Sequence, residues 1–120
     1  MYEIIFYRQR NGNEPIADFI RDLDKRDDKD SRIKLNKIYD YLEYLRIMGK
    51  QAGEPYVKRL DEDIWELRPL SIRILFSALE GRSFILLHHF TKKTQKTPKK
   101  EIAQAKRNLA DYLERIGRYE

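Results

Sequence analysis

Three stretches hold the side chains with the most chemical reach: "WELR" at 65–68 with "RILF" at 73–76, "HHF" at 88–90, and "TKKTQKTPKK" at 91–100. The last places Lys92, Lys93, Lys96, Lys99 and Lys100 in nine residues without one acid, in a chain otherwise rich in acids. Lysines in a loop that enters a helix suit phosphate oxygens, because the backbone N–H groups and the helix dipole favour an anion at the same place. Contacts of that kind position a nucleic acid without reading its sequence. The same run also describes a solvated face. Glu66, Arg68 and Arg73 form a second group: guanidinium forks match phosphodiester oxygens two at a time, and a carboxylate can orient them or take a proton. These three would equally make a cross-strand salt bridge. A histidine titrates near neutrality and can act as general acid or base, but His88 and His89 are adjacent in sequence, so in a strand they point to opposite faces and at most one reaches any given surface.

Two adjacent strand histidines cannot chelate one metal together, and no HExxH spacing, Walker A loop, GxGxxG, GxSxG or zinc-finger pattern occurs. With no cysteine there are no disulfides, zinc–thiolate sites or thiol nucleophiles. We therefore expect no metal and no cofactor.

Positioning these residues falls to elements whose periodicity is legible. Tyr2 to Tyr7 is short, aromatic and β-branched, a first strand followed by the polar loop "RQRNGNEP". Asn13 or Glu14 before Pro15 starts a helix with the stripe Ile16, Phe19, Ile20 and Leu23. A second helix carries Leu35, Ile38, Leu42 and Leu45 to about Met48, and the mixed-sign connector "DKRDDKD" makes the pair a helical hairpin. After the loop "GKQAGEP" the pattern turns to alternation, with strands near Val57–Leu60, Ile64–Arg68, Ser71–Leu79 and Ser83–Phe90, the last two joined by the turn "EGR". Thr97 followed by Pro98 signals the N-cap of a final helix with the stripe Ile102, Ala105, Leu109, Leu113 and Ile116. The order is β-α-α-β-β-β-β-α, an α+β fold with a small, mainly antiparallel sheet and helices on one side. Alternation puts Trp65, Leu67, Ile72, Ile74 and Phe76 under the helices and leaves Glu66, Arg68 and Arg73 together on the uncovered face.

A chain of 120 residues suits one domain, 1–120, and 41% hydrophobic with 38% charged residues fits a folded globule with a heavily charged surface. A net charge of +5 favours a polyanionic partner. No stretch approaches the roughly 18 to 20 apolar residues that span a bilayer, and the N-terminus lacks the pattern of a secretory signal, so a cytoplasmic address is expected and no membrane partner.

The strings "VKRLDEDIWELRPLSIRILF" and "LLHHFTKKTQKTPKKEIAQAKRNLADY" closely resemble the phage-derived, HigB-type branch of the RelE/ParE toxin superfamily. The most specific part is "HxFxKKTQKTPxxEIxxA", and the resemblance covers most of the chain. It implies a RelE-like fold with a twisted sheet and a basic concave surface. It also implies an endoribonuclease, an mRNA interferase, that enters the A site of the small ribosomal subunit and cuts the message by attack of a ribose 2′-hydroxyl on the adjacent phosphodiester. The partner it implies is a cognate HigA-like helix-turn-helix antitoxin, held in a hetero-oligomer with the toxin.

Carried over residue by residue, the resemblance assigns Arg73 and Arg68 to phosphate binding and transition-state charge, with Lys92 or Lys93 assisting. Glu66 then orients these groups or acts as base, and His89 is an acid or base candidate, while His88 stays structural. RelE itself carries lysines in the strand where Glu66 and Arg68 stand here. Lys96, Lys99 and Lys100 extend the RNA-binding set, and Lys58 and Arg59 join it if they line the same surface. Two other classes share these features: a ParE-like toxin that binds DNA gyrase without cutting RNA, and a non-catalytic nucleic-acid-binding phage protein.

Overall fold

The expected apolar stripes become helices. In the computed structural model, which describes residues 1–117, α1 (Pro15–Lys25) starts with proline in its first turn, and α2 (Lys29–Met48) is capped by Asp28, whose carboxylate accepts from the Ser31 N–H at 2.9 Å. α2 ends at Gly49, whose φ of +61° suits glycine. A Cβ there would lie 2.7 Å from the Tyr2 ring, so this helix end can sit against the first strand only if it has no side chain. A short 3₁₀ turn, Gly49–Ala52, follows within the stretch expected to be a loop.

Five strands form one sheet: β1 (Glu3–Phe6), β2 (Val57–Arg59), β3 (Trp65–Leu67), β4 (Ile72–Leu79) and β5 (Ser83–Thr91), in the spatial order β1-β5-β4-β3-β2. The three pairings among β2 to β5 are antiparallel, and β1 closes the sheet by running parallel to β5. β4 and β5 are joined at the expected turn, where Gly81 and Arg82 both take positive φ. The β4–β5 register shifts between Leu75 and Phe76, so that Leu75 pairs with His88 and Phe76 with Leu86, which leaves Leu87 as an extra residue in β5.

One face of the sheet carries the larger core: Leu67, Ile72, Ile74, Phe76, Phe84 and Leu86 pack against Ile16, Ile20 and Leu23 of α1 and Leu35, Ile38 and Leu45 of α2. The other face is not open. α3 (Lys99–Gly117) crosses it, and Ala105, Leu109 and Tyr112 pack with Ile64, Leu75, Ile85, Leu87 and Tyr7. The expectation of helices on one side only is therefore corrected: α1 and α2 cover one face and α3 covers part of the other. The physical reason lies in β5, whose residues are apolar on both faces and would otherwise leave Ile85 and Leu87 exposed, at about 1.5–3 kcal/mol for each large aliphatic side chain. Asn108 pins the crossing by donating from Nδ2 to the Leu87 carbonyl at 2.8 Å. The far end of the α3 stripe is less well covered: Leu113 and Ile116 stay exposed. This face is open at two places, a groove along Ile5, Leu79, Leu109 and Leu113 and the region beside the N-terminus of α3.

Candidate functional site

Register brings the charged strand residues together. Glu66 pairs with Leu75 on one side and with Lys58 on the other, and the next positions along β3 and β4 are Arg68 and Arg73. All four lie on the α3 face. Glu66 Oε1 is 3.4 Å from Arg68 Nε and 3.7 Å from Arg73 Nε, so one carboxylate stands between two guanidiniums. Its other oxygen, Oε2, accepts a short hydrogen bond from the Thr97 hydroxyl. Glu66 is 1% exposed and Arg73 6%, which makes this a buried charge cluster rather than a surface salt bridge. Arg73 is held further by its own fork, with Nη1 donating to the carbonyls of Leu70 at 2.8 Å and Ile72 at 2.9 Å. Burial pushes the Arg73 guanidinium below its usual pKa, Glu66 opposes that shift, and the neighbouring Arg68 adds to it. Among the described residues Arg68 Nε is buried without a hydrogen-bond partner.

The charges of this cluster do not cancel. Two guanidiniums share one carboxylate, and the surrounding lysines add to the excess. Lys58 is exposed beside Glu66, and Lys93, Lys96, Lys99 and Lys100 are exposed beyond the end of β5. Among the described residues, none of these lysines nor Lys92 has an ion-pair partner. Lys92 is half-buried, and its backbone N–H donates to the Ser71 carbonyl at 2.7 Å, which ties the start of the loop to β4. Lys99 and Lys100 occupy the first turn of α3, where a cation is repelled by the helix dipole; their placement costs helix stability and raises the local positive potential.

Space at the site has two parts. A crevice of about 10 Å³ lies over Arg73, between Phe90, Lys92, Lys96 and Thr97, room for no more than about one water. Beside it runs an open groove of about 550 Å³ along Phe90, Lys93, Lys100 and Glu101. Arg73 therefore sits beneath the loop 92–98, while Arg68 and the lysines are the cations that an anion meets first.

Several expected members lie elsewhere. His89 pairs with Ile74 and points to the α1 side, stacked on Phe19 with ring centroids 4.4 Å apart, so it does not reach the basic face. Its burial, with His88 adding a smaller effect, lowers its pKa from the ordinary 6.5, which suits a neutral packed ring. His88 is the histidine on the α3 face, and its Nε2 lies 2.8 Å from Glu101 Oε1, a strand-to-helix tether. Arg59 pairs with Trp65 and so leaves the Lys58 surface; its guanidinium lies over the Trp65 ring and donates to the carbonyls of Asp61 and Glu62. Thr97 is not a helix cap through its hydroxyl, which goes to Glu66 instead. Sequence reasoning missed that role, because alternation describes strands and says nothing about where a loop hydroxyl lands.

No helix among the described residues is long and apolar enough to cross a membrane. No curated protein matches the chain. The model of the family "phage derived protein Gp49-like" matches residues 18–110, which run from α1 into α3 and include every residue of the basic cluster; the chain belongs to that family.

Proposed function

We propose that this Gp49-like protein is the toxin of a type II toxin–antitoxin pair, a ribosome-dependent mRNA endoribonuclease neutralised by a HigA-like helix-turn-helix antitoxin. The observation that carries the proposal is the uncompensated charge: Arg68 and Arg73 share the single carboxylate of Glu66 beside a row of unpaired lysines. Such a surface lowers the free energy of an added phosphate charge, and phosphoryl chemistry needs its catalyst to do that. The family is known as one of RelE/ParE-like toxins, which supports the toxin part of this reading.

In the proposed reaction the ribose 2′-oxygen forms a bond to the adjacent phosphorus as the bond to the 5′-oxygen breaks. Solvent water takes the proton of the 2′-hydroxyl, and water returns one to the departing 5′-oxygen. Arg68 and Lys92 or Lys93 contact the phosphate oxygens, and Arg73 stabilises the developing charge from beneath the loop. Glu66, buried and held by Thr97, fixes the direction of both guanidiniums, which makes it a positioning residue rather than a base. The basic loop supplies phosphate contacts to the flanking message.

A second reading is favoured by one specific observation. The carboxylate is buried and His89 faces the other way, so neither is aimed at a substrate proton. A ParE-like gyrase binder, or a nucleic-acid-binding phage protein without catalysis, needs no such group. A purified translation system separates these. The leading proposal predicts that added protein stops synthesis from a defined mRNA and leaves gyrase supercoiling unchanged; inhibited gyrase with unimpaired translation would sink it.

A further inference from the structure

We infer that Phe90 is a nucleobase-stacking platform, so that the groove beyond β5 takes one unpaired base of the RNA whose adjoining phosphate lies at the Arg68/Arg73 cluster. The inference rests on the proposal that this face binds RNA, and it adds a base site that the charged residues alone do not define. Phe90 pairs directly with Arg73 across β4 and β5, on the α3 face. With Thr94 and Pro98 it lines both the crevice over Arg73 and the neighbouring groove, and it is the aromatic side chain of the three, the one with a π-face to offer. It is only partly buried, whereas Phe76 and Phe84 in the same two strands are fully enclosed. Its ring is backed by the His88 imidazole, at a centroid distance of 6.1 Å and an interplanar angle of 28°, which supports one side of the ring.

The groove has the chemistry of a nucleotide site. Lys93 and Lys100, both exposed and without ion-pair partners among the described residues, line the groove with the aromatic ring and provide for the phosphates adjoining a stacked base. Aromatic rings interleaved with cations are the common solution for single-stranded nucleic acid, because every base offers a π-face and the backbone needs counter-charge. A groove of about 550 Å³ has room for a nucleotide, which the crevice of about 10 Å³ does not. The site should therefore be tolerant of base identity and intolerant of a missing base.

The test is equilibrium binding of full-length protein to a short single-stranded RNA carrying one 2-aminopurine, whose fluorescence falls when it stacks, together with the same RNA made abasic at that position. Wild type and Phe90→Tyr should bind with quenching, and Phe90→Leu, which keeps apolar bulk, should lose the quenching and bind about 5- to 100-fold more weakly. The abasic RNA should bind all three proteins with the weaker affinity. Equal affinity and quenching for Phe90→Leu and wild type, with binding still reduced by Lys93→Gln, would overturn the stacking site and leave RNA binding standing. A wild-type protein that binds none of these RNAs would overturn both.

Discussion

At Glu66 the chemistry of the site is set by a shortage of negative charge. Removing Arg73 deletes one of the cations that the proposed reaction sets against the developing charge, and a loss of one such stabilising donor costs about 10²- to 10³-fold in rate. Arg73→Ala should therefore abolish growth arrest and reduce single-turnover cleavage by that factor. It also leaves the Leu70 and Ile72 carbonyls short of a donor, so unfolding in urea should show a loss of about 1–3 kcal/mol. Arg73→Lys keeps the charge but not the fork and should not restore the rate. Full toxicity of the alanine variant would remove Arg73 from the set. Glu66→Gln probes the opposite sign: stability should fall by about 3 kcal/mol, because two guanidiniums lose their shared counter-charge, while affinity for RNA holds or tightens. A marked drop in affinity would show that the carboxylate does more than orient.

The elements were legible to different degrees, for reasons that can be named. Helix stripes such as Ile16, Ile20 and Leu23 declare a buried side, and the strand alternation in 65–76 sorted Glu66 and Arg73 onto the same face. A stripe does not say which face of a sheet it meets. For α3 the available signal was the run 84–87, apolar on both sides, which demanded cover on each face. The histidines were sorted to opposite faces by the same alternation, but the extra residue at Leu87 resets the phase of β5, and only the register shows that His88 rather than His89 shares a face with Arg73. Thr97 reaching Glu66 and Asn108 reaching Leu87 are contacts across 31 and 21 residues, invisible to any local pattern. Each yields a test. Asn108→Ala should cost about 1–3 kcal/mol by orphaning the buried Leu87 carbonyl at the bulge, measured by chemical denaturation. Thr97→Val should leave global stability within about 1–2 kcal/mol yet speed amide exchange in residues 92–97, since the loop loses its tie to the charge cluster. Unchanged exchange there would mean that the Lys92 bond to Ser71 holds the loop alone.

Taken as one body, the molecule differs by face: α1 and α2 insulate the main core, and α3 covers the opposite face in part and leaves its basic end free. His89 belongs to the insulated side, and its depressed pKa sets a sign for pH dependence. Its neutral form is favoured by folding, so its contribution is complete above about pH 6.5, the unfolded value, and is lost as pH falls from there toward the lower folded value. Asp111, lowered chiefly by the Tyr7 hydroxyl and also by Arg10 and Arg115, acts in a separate window, below 3.8. His89→Phe should flatten the stability profile just below pH 6.5 and leave the acid limb intact. On the basic side, RNA affinity should fall with salt, and Lys93→Gln with Lys100→Gln should reduce the logarithmic slope by about 1.4, the value for two lost phosphate contacts on a single strand.

In the proposed function the surplus charge of Arg68 and Arg73 serves cleavage of a ribosome-bound message. Primer extension on a defined mRNA, with and without programmed ribosomes, tests it with wild type and Arg73→Ala side by side. Cuts are expected at the A-site codon only when ribosomes and wild-type protein are both present. No cut under any condition, with growth still arrested in cells, would contradict it and leave a binding toxin in its place.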